Sequence, residues 1–118
     1  MEKRDLKERT KRFALKIIKV VELLPKGRIA YILGNQLLRA GTSVGANYRS
    51  ACRAKSTADF ISKMGIVEEE ADETVYWMEL LIESGLIRKD ELIHLLGEAD
   101  EILAITVSSI KTARESKK

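Results

Sequence analysis

The sequence predicts an all-α fold, an up-down-up-down antiparallel four-helix bundle that assembles as a homo-oligomer. Three observations carry this expectation. Apolar residues recur at the spacing of a helical face in four successive segments. Proline occurs once, at Pro25, and aromatic residues make up only 5% of the chain, a balance that favours helix over sheet. The breaks between segments are a few residues long, so neighbouring helices must mostly run antiparallel. At 118 residues there is room for a single domain, 1–118, around one core.

The first helix is expected over residues 5–24, where Leu6, Phe13, Ile17, Val20, Val21 and Leu24 fall in one broad stripe. Pro25, Lys26 and Gly27 break it. A second helix over 28–54 places Leu33, Leu37, Ala40, Val44, Tyr48 and Ala51 on one side. Its many small residues lower its helicity, because glycine costs about 1 kcal/mol relative to alanine inside a helix, and close approach of another helix would compensate. Ser56 and Asp59 have the S-x-x-D spacing of an amino-terminal cap and start a third helix over 57–84. Its inner stripe reads Phe60, Met64, Val67, Ala71, Val75, Met78 and Ile82, and Gly85 is the expected carboxy-terminal cap. The fourth helix, 89–114, carries Leu92, Leu95, Leu96, Ala99, Ile102, Leu103, Val107 and Ile110, followed by a frayed basic tail, 115–118.

The net charge of +3 conceals a strong asymmetry. Residues 1–56 carry fourteen Lys or Arg against four acids, whereas residues 57–118 carry seven against fourteen. That pattern suits an anionic partner, complementary pairing between subunits, or both. On the first helix Arg9, Arg12, Lys16 and Lys19 recur at three, four and three residues and form a basic ridge. Arg39, Arg49 and Arg53 project from the second helix opposite Leu37 and Val44. These seven are the candidate nucleic-acid contacts, since guanidinium and ammonium groups engage phosphate oxygens. The competing reading is a solvated face, or pairing with the acid row Glu68, Asp72, Glu79 and Glu83 on the third helix.

Ile66, Trp77 and Leu81 lie off the inner stripe of the third helix, and Leu15 and Ile18 off that of the first. A helix apolar on two sides calls for two partners, which is the residue-level case for a homo-oligomer. Gln36, Ser43 and Asn47 edge the apolar face of the second helix, where they are expected to bond across to another helix and fix the assembly's register.

Catalysis finds little support. Glu91 and His94 have the Glu-x-x-His spacing of di-iron bundle sites, but a full site needs a second such pair and the chain has one histidine. Cys52 has no histidine near it in sequence and is expected to be a buried packing residue. Residues 41–47, GTSVGAN, lack the Lys-Ser/Thr ending of a phosphate-binding loop. No enzyme activity, metal or cofactor is therefore expected. The charged amino terminus lacks a secretory pattern and no apolar run reaches the ~18 residues of a membrane span, so the cytoplasm is the expected location, with no membrane partner.

The segment 36–81 resembles the four-helix-bundle proteins encoded within intervening sequences of bacterial large-subunit (23S) ribosomal RNA genes. The resemblance rests most on Gln36-Leu37, Arg39-Ala40, Ser43-Val44, Asn47, and Ser56 through Phe60, and Leu24-Pro25 with the preceding helix also fits. It implies a helical bundle, homo-oligomers that are commonly pentameric rings, and an association with RNA or DNA. Many relatives carry Glu after the position matching Arg49; this chain has Ser50, which leaves its second helix more basic.

Overall fold

Four helices form where the apolar periodicity places them: α1 (Lys3–Glu22), α2 (Arg28–Cys52), α3 (Thr57–Glu83) and α4 (Lys89–Lys117). A computed structural model describes the backbone of residues 3–117 and the side chains of residues 6–116. The described residues contain no β-strand.

The helix ends follow local chemistry. α1 stops at Glu22, two residues short of the expected end. The residue before a proline is pushed out of the α region, and the last turn tightens accordingly. The Leu23 N–H donates to the Val20 carbonyl at 3.1 Å, and the Leu24 N–H to that of Val21 at 3.3 Å. α2 likewise closes on i→i−3 bonds from the Arg53 and Ala54 N–H groups. The Ser56 hydroxyl accepts from the Asp59 N–H at 3.0 Å while the Asp59 carboxylate accepts from the Lys55 N–H at 3.0 Å, as the cap spacing requires. At the other end of α3, the Leu86 N–H reaches the Leu81 carbonyl at 3.1 Å and the Gly85 N–H that of Ile82 at 3.0 Å. This is a Schellman closure, which needs the positive φ (84°) that Gly85 supplies. α4 runs to Lys117, beyond the expected end at Arg114, so residues 115–117 continue the helix; Lys118 lies outside the described residues.

Each helix packs on its neighbours in a ring: α1 on α2, α2 on α3, α3 on α4 and α4 back on α1. The long dimension is 51 Å against 22 and 20 Å across. The core is a column of side chains from all four helices, including Phe13, Ile17, Leu37, Tyr48, Met64, Met78, Leu92 and Ile102. Thr10, Thr74 and Thr106 are buried with it. Thr74 and Thr106 donate to the carbonyls of Glu70 and Ile102, both at 2.7 Å, and Thr10 to that of Lys7 at 3.2 Å, so each hydroxyl is satisfied inside its own helix. Thr106 takes the core position expected of Val107, which is exposed.

The small residues of α2 are explained by α1. A Cβ on Gly41 would fall 2.9 Å from both Cγ1 and Cγ2 of Ile17, one on Gly45 3.1 Å from the Thr10 hydroxyl, and one on Gly34 2.9 Å from Leu24 Cδ1. As α2 advances through 34, 41 and 45, its partners on α1 retreat through 24, 17 and 10, so these two helices run in opposite directions.

Candidate nucleic-acid interface

The α1–α2 approach decides where each cation points. Arg9 leans toward α4, where its Nε donates to Glu98 at 2.9 Å and its Nη2 at 2.6 Å, with Glu101 at 3.3 Å. The bonds from Arg9 hold the Glu98 carboxyl below the usual glutamate range against the opposing effect of burial, with further help from the charges of Lys16 and Arg12. The same bonds raise the affinity of Arg9 for its proton. Arg9 is thus a structural bridge between α1 and α4, and only Arg12, Lys16 and Lys19 of the expected ridge stay exposed.

Arg39 is also engaged within the chain. Its guanidinium pairs with Glu70 at 3.2 Å and with Glu73 on α3, while its Nε donates to the Gln36 side chain at 3.3 Å. Pairing of the basic and acidic helices therefore occurs, but through Glu70 and Glu73. Among the described residues, none of Glu68, Asp72, Glu79 and Glu83 takes part in an ion pair. Arg49 and Arg53 stay exposed without a carboxylate partner among the described residues.

Several expected assembly residues have other work. Leu81 is fully enclosed by its own bundle, because it sits one turn from Met78 on the buried side of α3; it is core and not available to a partner. Trp77 is half-buried against the core, its indole N–H donates to Glu73 at 3.0 Å, and its ring meets Tyr76 edge-on. Ile66 alone of the three is exposed, at 40%. Leu15 and Ile18 do face outward from α1. Gln36 braces Arg39, and the Asn47 amide donates back to Ser43, to its carbonyl at 2.8 Å and its hydroxyl at 2.9 Å. These polar groups bond along α2 itself, not across to another helix, because spacings of three and four residues put the partners within reach of each other.

Cys52 is exposed at the end of α2, which corrects its expected burial. The phenol beside it, Tyr48, is buried, and burial together with the Cys52 thiol pushes its pKa well above the ordinary value. Glu91 is occupied in starting α4: its carboxylate accepts from the Arg88 N–H at 3.3 Å. His94 is exposed nearby, and no group of three His, Cys, Asp or Glu among the described residues is placed to hold a metal ion.

The sequence reading missed Lys7 and Lys11. Both lie on the flank of α1 that faces α2, and with Arg49 they line one cleft of about 420 Å³. Lys7 and Arg49 also line an adjoining cleft of the same volume with Ser50, Arg53 and Lys63. The available signal was the set of small residues, Ala14 on α1 with Gly41, Gly45 and Ala46 on α2, which marks the side on which the two helices meet.

Fold and surface together define a four-helix, all-α protein with a basic α1–α2 side and an acidic α3. The chain belongs to the 23S rRNA-intervening sequence protein family, whose pattern matches residues 2–108. A crystal structure of a protein of unknown function from the S23 ribosomal protein family of Bacteroides thetaiotaomicron VPI-5482 is similar over 94% of this chain and 99% of its own, with 37% identity and a TM-score of 0.88. No curated protein matches the chain. None of the helices among the described residues is long and apolar enough to cross a membrane.

Proposed function

We propose that this chain is a non-catalytic, homo-oligomeric, up-down-up-down helical bundle that binds nucleic acid, RNA above all, in the cytoplasm. One observation carries the reading: Arg12, Lys16, Lys19, Arg49 and Arg53 stay exposed with no carboxylate in ion-pair reach among the described residues, although the chain holds eighteen acids. Exposed cations that ignore available carboxylates leave a positive field for an outside anion. RNA is chosen because the family name refers to an intervening sequence of 23S rRNA. The opposed α1 and α2, and loops of a few residues, support the alternating topology. Outward Leu15, Ile18 and Ile66 support assembly, and a pentameric ring, which the resemblance implies, would multiply weak contacts by avidity.

Titrating a structured RNA and a DNA duplex at about 50 mM and about 200 mM salt tests the reading. Binding at the lower salt that weakens steeply at the higher is expected. No binding at low salt by the intact assembly would overturn it.

A scaffold without a nucleic-acid ligand is the second reading, favoured by Glu68, Asp72, Glu79 and Glu83, which are in no ion pair among the described residues and could meet the cations of a neighbouring copy. Reversing Arg12, Lys16 and Lys19 would then dissociate the oligomer in size analysis. Loss of nucleic-acid binding at unchanged size supports the first reading instead.

A further inference from the structure

Resting on the nucleic-acid reading, we infer that the phosphate site is the groove between α1 and α2, built by Lys7, Lys11, Arg49 and Arg53, and that it grips a duplex backbone without reading bases. Two clefts of about 420 Å³ each share Lys7 and Arg49 and therefore form one continuous groove. Among the described residues, Glu8 is the only carboxylate lining its first part, and none lines its second. Among the described residues Lys7, Lys11, Arg49 and Arg53 are in no ion pair, whereas Lys63 at the far wall is held by Asp59 at 3.1 Å. The floor is low, because Gly45 packs against Thr10 without a side chain and Ala14 and Ala46 are short. A polyanion can thus lie in the groove with cations on both sides.

The ridge on the opposite flank of α1 is a poorer phosphate site. Arg9 is bound to Glu98 and Glu101, and Arg12 and Lys16 act on Glu98, so an acid already sits within their field. In the groove, Glu8 is in no ion pair among the described residues, and no described carboxylate lines the part formed by Lys7, Arg49 and Arg53.

The mode of recognition follows from what the groove lacks. Readers of single-stranded RNA stack bases on aromatic rings. No aromatic residue lines either cleft, and the exposed Tyr31 and Tyr76 lie outside both. Cations alone recognise phosphates, which carry no sequence information directly.

The test measures binding of the full-length protein to mixed-sequence RNA and DNA duplexes, to a duplex of unrelated sequence and to single-stranded RNA, across a salt series. Lys7→Gln, Arg49→Gln and Arg53→Gln are each expected to lower the log–log salt slope by about 1 on every duplex alike. Ser50→Glu, which adds a charge to the groove and removes no contact, should weaken binding several-fold with helix content unchanged. Arg12→Gln and Lys19→Gln, on the ridge, should each lower the slope by less than any groove variant. If the ridge variants lower the slope and the groove variants do not, the site is refuted while the nucleic-acid reading stands. A more than tenfold preference between duplex sequences, or for the single strand, refutes backbone-only recognition. If no nucleic acid binds at low salt, or if only an acidic polypeptide such as polyglutamate is retained, both readings fall.

Discussion

Adding one methyl group to a glycine should have opposite effects at two places in this bundle. In Gly41→Ala the new Cβ would meet Cγ1 and Cγ2 of Ile17 at 2.9 Å and its Cβ at 3.2 Å. Ile17 is fully buried, and the clash falls at its branch point, where no rotation of a distant methyl relieves it. Overpacking of this kind costs about 1–3 kcal/mol, against about 1 kcal/mol returned by the better helix propensity of alanine. The net loss is about 0–2 kcal/mol, or a Tm lower by up to roughly 8 °C for a domain of this size. Gly97 also lies inside a helix, but its Cβ would meet nothing within 4 Å. Gly97→Ala should therefore gain about 0.5–1 kcal/mol and raise the Tm by a few degrees. Urea and thermal unfolding followed by helical circular dichroism, at one fixed protein concentration because assembly shifts apparent stability, would measure both. Ile17→Ala should cost less in the Gly41→Ala background than in the wild type, since it removes the clash. A Gly41→Ala protein stabilised as much as Gly97→Ala would refute the close α1–α2 approach on which the groove depends.

Other consequences are open to measurement. The Arg9–Glu98 pair, with side chains 14% and 26% exposed, lies between surface pairs worth about 0–1 kcal/mol and buried ones that cost about 3–5 kcal/mol to break, so Glu98→Gln should lose about 1–2 kcal/mol at pH 7. Because the folded Glu98 pKa is depressed, this contribution is complete above the unfolded value of about 4.3 and disappears as pH falls through the folded one. Wild type and Glu98→Gln should thus converge in urea midpoint as the pH is taken below the usual glutamate range, and a constant gap at all pH values would refute the pairing. Ser56→Ala removes the acceptor for the Asp59 N–H and should cost about 1 kcal/mol in the same assay; no loss would mean the cap is dispensable. Exposed Cys52 should react with a thiol reagent in the native protein as fast as a small-molecule thiol of similar reactivity, whereas labelling limited by global unfolding would contradict its placement.

Helix number and inner faces were legible in the sequence because a buried stripe imposes a 3.6-residue period that survives any detail of packing. Phe13, Leu37, Met64 and Ile102 are core residues for that reason alone. The caps at Ser56 and Gly85 were legible too, since they depend on neighbours a few positions away. The division of charge, fourteen cations before residue 57 and fourteen acids after it, is likewise a property of the chain itself. Tertiary structure decided which charges stay available. Spacing alone made Arg9 equivalent to Arg12 and Arg39 to Arg49, yet α4 brings Glu98 to Arg9 and α3 brings Glu70 and Glu73 to Arg39. It also drew Leu81 into the core and made Lys7 and Lys11, which no ridge contained, the companions of Arg49. Whether a cation is spent or free depends on which residues lie across the helix interface, and their separation in sequence, 89 positions for Arg9 and Glu98, carries no local pattern.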